Sequence, residues 1–323
     1  MSKYVCQLDY INIADWVLVN NANHCLLNKR IIEKFSDIRD GDIIFISTIL
    51  LCQQHLFENL VRLNVRYILI TGMCDETVPY FYEDNRRGQL DYRKILENPN
   101  LLGWFSINVD IKHPKIHCLP LGIPFSIPFI SPNVSPEFSY MAWYVNIFGS
   151  EKIFNSYNNH SINNIINIMK SKKDSSDLLL CCYSTVNTDD CCVSRNNKIR
   201  YNLDEYLKTT KFIKHNLMPW EEYFNSMCKY KFALCPPGRG LDTHRTYEAI
   251  ICGTIPIVFP ALLNEFLYED LPVLVIDSFD KINEEYLEEQ YNRIISRNDY
   301  NFSKLTPEYW CEKINKFKST QIQ

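Results

Sequence analysis

The sequence predicts an α/β fold of two facing Rossmann-like, doubly wound domains, and three observations carry that prediction. Short apolar runs rich in β-branched residues alternate with runs of helical spacing along most of the chain. Runs such as 42–47 (DIIFIS) and 66–71 (RYILIT) are apolar on both faces, as parallel strands covered by helices on each side must be. A chain of 323 residues with 46% hydrophobic content can build two cores of ordinary size.

Taken in order, the first half places strands over 42–47, 66–71, 103–107 and 115–121, with helices over 53–63 and 91–97 between them. Residues 137–169 read as a long helical connection, and the polar Ser/Lys-rich stretch 170–176 as a domain boundary. The second half places strands over 177–183, 211–214, 231–235, 255–259 and 272–276. Helices fall over 197–207, 220–230, 242–252 and 283–295. The division is a first domain over 1–170 and a second over 171–305. In such sheets ligands sit beyond the carboxyl ends of the strands, so two facing domains suit two substrates.

Composition narrows the function classes. The formal net charge of -4 and pI near 6.0 leave no basic footprint, so a nucleic-acid partner is not expected. The first residues (MSKYVCQLDYINIADW) contain no apolar signal core, and no run reaches the roughly 18 apolar residues of a membrane span. The expectation is a cytoplasmic chain without a transmembrane segment. Thirteen cysteines, an odd number scattered through strand-like runs, read as reduced thiols. Cys181-Cys182 and Cys191-Cys192 match no zinc spacing, and adjacent strand residues face opposite sides. Asp40-Gly41-Asp42 has the spelling of a divalent-ion motif but precedes a strand, so it reads as a turn and no metal is expected.

The densest signal is residues 230–258, YKFALCPPGRGLDTHRTYEAIICGTIPIV. An apolar strand runs into Pro236, Pro237, Gly238 and Gly240, a helix opens near Leu241, Gly253 stops it, and a second strand follows. The loop and first turn carry Arg239, Asp242, Thr243, His244, Arg245 and Glu248. Free N–H groups at a helix start beside two arginines suit a phosphate.

Pro237, Gly238, Gly240, Asp242, Arg245, Glu248, Ala249, Gly253 and Pro256 stand in the order P-G-x-G-x-D-x-x-R-x-x-E-A, glycine, then a Pro-containing strand. This resembles the donor-binding half of exostosin-like glycosyltransferases, glycosyltransferase family 47 and its viral and microbial relatives. Residues 267–276 (LYEDLPVLVI), Trp104-Phe105 and 114–122 (PKIHCLPLG) add to it, over roughly residues 65 to 310. The resemblance implies a GT-B type fold, a nucleotide-sugar donor domain, and a last segment, 306–323, rejoining the acceptor-side domain. It implies transfer from a nucleotide diphosphate sugar, a UDP-sugar such as UDP-xylose, to the hydroxyl of a glycan or glycoconjugate. The co-substrate is the nucleotide sugar, and no further cofactor is expected.

Individual residues carry two readings each. Arg245 and Glu248, three apart, are an ion pair on one helix face, or a diphosphate contact and a ribose contact. Arg239 is a solvated loop arginine or a phosphate contact. Asp242 is a helix N-cap or a ligand. Thr243 offers an N–H or hydroxyl to phosphate, and His244 is structural or a contact. Gly238 and Gly240 act through backbone shape. Ser184 and Thr185, after the first strand of the second half, and Arg195, opening the next helix, face the same cleft. Leu217 and Met218 would frame the base. For the acceptor proton, Asp75 is the first candidate base and Glu76 the second, both after strand 66–71. Asp75 alternatively caps a helix over 76–82. His117 reads as packed in its strand, and Asn108 as a contact to acceptor or donor. Transfer is expected to be inverting and metal-independent, with the arginines and helix start neutralising the leaving diphosphate. The alternative is a catalytically inactive nucleotide-sugar or glycan-binding module of the same fold.

Overall fold

A computed structural model describes residues 3–19, 30–79, 90–124, 150–183, 194–212, 220–238 and 240–322. Two parallel-sheet α/β domains are present, of the Rossmann-like class anticipated above. The first sheet contains β1 (Trp16–Leu18), β2 (Arg30–Ile31), β3 (Asp42–Ser47), β4 (Tyr67–Gly72), β5 (Leu101–Ser106) and β6 (Ile116–Cys118). They are parallel and ordered β2-β1-β3-β4-β5-β6. The order reverses between β1 and β3, which makes this sheet doubly wound. The second contains β7 (Leu179–Leu180), β8 (Phe232–Leu234), β9 (Ile255–Val258) and β10 (Leu274–Val275), parallel in the order β10-β9-β8-β7.

The central strands owe their place to apolar side chains on both faces. Ile44, Phe45 and Ile46 of β3 and Tyr67 through Ile70 of β4 have no exposed surface, and the two strands pair from Asp42↔Tyr67 to Ser47↔Gly72. β1 and β2 have no such signature. They are three and two residues long, and both residues of β2 are exposed, so they leave no periodic signal in the sequence. The expected strand at 211–214 is not formed at Lys211 and Phe212, and its remainder lies outside the described residues. The helix expected over 76–82 is likewise not formed at 76–79. Val78 instead bridges to Val109, because the peptide groups there pair with the loop after β5.

The connection between the domains contains the helices Ser150–Asn159 and Ile165–Ser171. The second lies on the second domain: the Tyr291 hydroxyl donates to the Met169 carbonyl, and Ile168 abuts Gly253. Lys172, inside the polar stretch expected as a boundary, is only 7% exposed. Its ammonium donates to the carbonyls of Tyr230 (3.2 Å) and Cys252 (3.0 Å) and to Thr254 Oγ1 (2.7 Å). The final helix, Pro307–Ile322, lies on the first sheet, with Phe317 packed edge-on to Phe105 and His117 at 5.3 and 4.7 Å. No helix among the described residues is long and apolar enough to cross a membrane.

Candidate functional site

Loops from the carboxyl ends of β4, β5, β6 and β8 converge on one junction between the domains. After β8 the chain runs through Pro236, Pro237, Gly238 and Gly240 to Asp242, and the helix His244–Ile251 follows. Asp242 is buried at 3% exposure and is shared among four partners. Its carboxylate accepts from the Leu121 N–H (2.8 Å) after β6, from the Tyr247 hydroxyl (2.6 Å), from the Thr243 N–H (2.8 Å) and from the Tyr268 hydroxyl. Burial raises its pKa, and these donors oppose that rise. Its own N–H donates to Asn108 Oδ1 (2.8 Å), and Asn108 Nδ2 donates to the Asp75 carbonyl (3.1 Å). Asp242 is therefore not the N-cap, and its carboxylate is taken up by protein donors. Thr243 holds the N-cap position, its hydroxyl 3.2 Å from that of Thr246.

Asn108, expected as a contact to acceptor or donor, is fully buried and bonds the two domains together as a staple. It sits at φ 53°, a left-handed conformation that asparagine tolerates better than most side chains. Gly240 packs into the same staple. A Cβ there would lie 2.3 Å from Asn108 Nδ2 and 2.5 Å from the Asp75 carbonyl oxygen, so only glycine lets the loop approach this closely. His244 Nδ1 lies 2.7 Å from the Gly122 carbonyl, which also joins the two domains.

Arg245 projects from the first turn of the helix. Its Nε is buried without a hydrogen-bond partner among the described residues, and its guanidinium lies 6.0 Å from the centre of the Tyr223 ring. Burial works against its charge, but the facing Tyr223, Cys235 and Glu248 groups more than offset this, and its pKa is raised. The junction thus holds a permanent cation with an unused donor. The Arg245–Glu248 ion pair is not formed. Glu248 is 4% exposed, and its two oxygens accept from the Tyr157 hydroxyl (2.5 Å) and the Tyr223 hydroxyl (2.8 Å). Both oxygens are therefore engaged with protein donors, where the sequence reading gave them to ribose.

Asp75 lies at the junction, its carbonyl held by Asn108 and closed over by Gly240. Its carboxylate is partly exposed and makes no hydrogen bond or ion pair with the described residues. Glu76 is turned inward at 5% exposure. Gln7 sets the bend before them, since its side-chain oxygen accepts from the Met73 N–H at 2.6 Å.

Two positioning groups escaped the sequence reading. Arg200 donates from Nε to the Pro237 carbonyl (2.7 Å) and from Nη2 to the Pro236 carbonyl (3.2 Å), bracing the loop. Tyr157 reaches Glu248 across 91 positions of sequence. Neither has a local motif; the only available signal was that Arg200 lies on the helix following β7. Of the other expected contacts, Pro237 and Gly238 line the braced loop. Ser184, Thr185, Leu217, Met218 and Arg239 lie outside the described residues, as does the side chain of Arg195.

The Asp40-Gly41-Asp42 turn has other work. Asp40 pairs with Arg66 (2.5 Å), and Asp42 accepts from the Trp16 indole (2.6 Å) and the Arg39 N–H (2.8 Å). A groove of about 320 Å³ lies elsewhere on the second domain, between Leu271, Val273 and Arg293, and shares only Tyr268 with the junction.

No protein-family model and no curated protein matches the chain. Solved structures are similar to it at low identity and low TM-score. The N-terminal domain of Candida albicans trehalose-6-phosphate phosphatase is 15% identical, with 89% of this chain and 70% of that one covered, at a TM-score of 0.36. Sucrose-phosphate synthase from Thermosynechococcus elongatus is 10% identical over 87% and 73%, also at 0.36. The pneumococcal O-GlcNAc transferase GtfA, in complex with UDP and GlcNAc, is 14% identical over 89% of this chain and 58% of its own, at 0.36. The chain therefore spans under two thirds of that last protein. At these scores the reading of function rests on the junction's residues alone.

Proposed function

We propose that the chain is a glycosyltransferase that moves a sugar from a nucleotide diphosphate donor, a UDP-sugar, to a glycan hydroxyl. The observation that carries this is Arg245: a cation at a helix start, its Nε buried with no partner among the described residues, beside a glycine loop at the meeting point of two Rossmann-like domains. Such a group matches a diphosphate, which offers several acceptor oxygens and negative charge. The uncapped N–H groups of the helix start add donors of the same kind.

Asp75 supplies the complementary function. Its carboxylate is unengaged among the described residues, and its backbone is fixed to the donor loop through Asn108. It would accept the acceptor hydroxyl's proton as that oxygen attacks the anomeric carbon, while the sugar–phosphate bond breaks and the diphosphate leaves toward Arg245. Attack from the face opposite the leaving group inverts the anomeric configuration. The cationic side chain does the work of charge neutralisation in this scheme, so chelators are expected to leave it unaffected. Glu248 holds Tyr157 and Tyr223, and through Tyr223 the wall beside Arg245.

The test is binding before turnover. Thermal shifts with UDP and a panel of UDP-sugars are expected to persist in chelator and to vanish in Arg245→Ala. A ligand at 100 times its Kd stabilises a fold by about 2.7 kcal/mol, an easily measured shift. Absence of any nucleotide-dependent shift in the wild type would remove the donor assignment. The occupied carboxylates of Asp242 and Glu248 favour one other reading, a module that binds a nucleotide sugar without transferring it. Binding with no UDP release across a broad acceptor panel would select that reading.

A further inference from the structure

Two helices of the second domain end side by side, each followed by a cysteine. Cys228 follows Trp220–Met227, and Cys252 follows the Arg245-bearing helix His244–Ile251. Lys172 and Thr254 fasten these ends together. The Lys172 ammonium donates to the Cys252 and Tyr230 carbonyls and to Thr254 Oγ1. The Thr254 hydroxyl lies 2.5 Å from the Met227 carbonyl and 2.9 Å from that of Tyr230. His160 arrives from the interdomain connection, its ring 5.5 Å edge-on from Phe224, one turn before Cys228. In this frame the Cys228 thiol has the Cys252 thiol and the His160 side chain as the neighbours that act on it most strongly.

The surroundings treat the two sulfurs differently. Cys228 is half-buried and reachable, whereas Cys252 is buried. The Cys252 thiol, His160 and the Lys172 ammonium together bring the Cys228 thiol below its ordinary range against the opposing effect of burial. Burial, then the contact with Cys228, pushes Cys252 upward. The described residues hold no group of three His, Cys, Asp or Glu side chains arranged for a metal ion. Nor does the sugar-transfer scheme use any member of the cluster.

We propose that Cys228 and Cys252 form a redox pair, with Cys228 the attacking and Cys252 the resolving sulfur toward a hydroperoxide. The Cys228 thiolate attacks the peroxide oxygen; the O–O bond breaks, an alcohol or water leaves with a proton, and Cys228 becomes a sulfenic acid. Cys252 then attacks the Cys228 sulfur, the S–O bond breaks, and a second oxygen leaves as water. Two thiols have lost two electrons and two protons, and the peroxide has been reduced. The resulting link would enclose β8, the glycine loop and the Arg245 helix in one covalent loop. Nothing in it depends on the donor reading, since every test is made without nucleotide.

The experiment is a peptide map of the reduced full-length chain after a near-equimolar pulse of hydrogen peroxide, digested without reductant. The expected product is a Cys228–Cys252 cross-linked peptide dominating over all other pairings of the thirteen cysteines. Alkylation by iodoacetamide near pH 6 is expected to be about tenfold faster at Cys228 than at the other half-buried thiols, Cys52, Cys74 and Cys311. His160→Gln should erase most of that advantage, and Cys252→Ser should halt the peroxide product at Cys228 sulfenic or sulfinic acid. The wild-type map decides the matter even if a variant fails to fold. Alkylation of Cys228 at the rate of the other three, or peroxide oxidation of Cys228 with no link to Cys252, would overturn the proposal.

Discussion

At the scale of the residue, burial decides what each polar group is free to do. Among the described residues Asp75 keeps an unengaged carboxylate, while Asp242 and Glu248, equally acidic in the sequence, are consumed by buried donors. If Asp75 is the base, Asp75→Asn should lower turnover by about 10²-fold or more, the usual contribution of a positioned base. UDP binding should remain unchanged, since the amide is isosteric and Arg245 lies on the other domain. Turnover equal to wild type in a folded, UDP-binding variant would transfer the role elsewhere. His117 gives a second residue-scale prediction. It is packed between Phe105 and Phe317, at 4.6 and 4.7 Å, with its Nε2 buried and without a partner. Burial, assisted by the Lys313 charge, brings its pKa from 6.5 down to about 4. A base with a depressed folded pKa binds fewer protons folded than unfolded between those two values. Its contribution is therefore present above pH 6.5 and is lost as pH falls toward 4. The loss amounts to about 2–3 kcal/mol at most. Urea titrations across that window should show a shallower decline in His117→Leu than in the wild type, and identical slopes would show that His117 does not titrate on unfolding.

At the scale of the element, the best-specified piece is the helix His244–Ile251 and its stop. Gly253 sits at φ 63° and gives its N–H to the Ile250 carbonyl (2.9 Å), while Thr254 gives its N–H to Ala249 (2.8 Å). These two bonds form the Schellman arrangement that ends a helix on a left-handed residue. A Cβ at 253 would also lie 2.5 Å from Ile168 Cγ2. Gly253→Ala should therefore destabilise the chain by about 1–3 kcal/mol, combining the left-handed penalty with displacement of the connecting helix. Equilibrium unfolding measures it, and a loss below a few tenths of a kcal/mol would contradict the packing described. Gly253 was legible as a helix stop because glycine leaves a local signal in sequence. The strands 42–47 and 255–258 were legible for a similar reason: apolar residues on both faces and turns at each end. β1 and β2 were not, being too short for periodicity to register. The site divides the same way. Arg245, Gly240 and Asp75 announced themselves through spacing and position after strands. Tyr157, Arg200 and the staple role of Asn108 arise from contacts across 91, 37 and 134 positions, which no local pattern encodes.

At the scale of the whole molecule, the two domains do not merely face each other; they are bonded at the strand ends where the chemistry is proposed. Leu121 to Asp242, Asp242 to Asn108, Asn108 to Asp75, and His244 to Gly122 form one chain of contacts from the first sheet to the second. The exposed Lys112–Glu265 pair (2.7 Å) also spans the domains, but a solvated ion pair adds at most about 1 kcal/mol. Asn108 is the member whose removal separates domain alignment from donor binding. Asn108→Gly tolerates the left-handed backbone at φ 53° and deletes only the side chain. It leaves the Asp242 N–H and the Asp75 carbonyl without their partner, a cost of about 2–4 kcal/mol for two buried polar groups. If the staple sets the distance between donor and base, UDP affinity should hold within about threefold, because Arg245 and its loop belong to the second domain. Turnover should fall by at least about tenfold, since a base displaced by an ångström loses much of its effect. Isothermal titration with UDP and initial-rate measurements on the same preparation report the two quantities separately. Parallel loss of both would mean that Asn108 supports the donor loop itself, whereas loss of stability with neither affected would leave it a structural bond with no bearing on alignment.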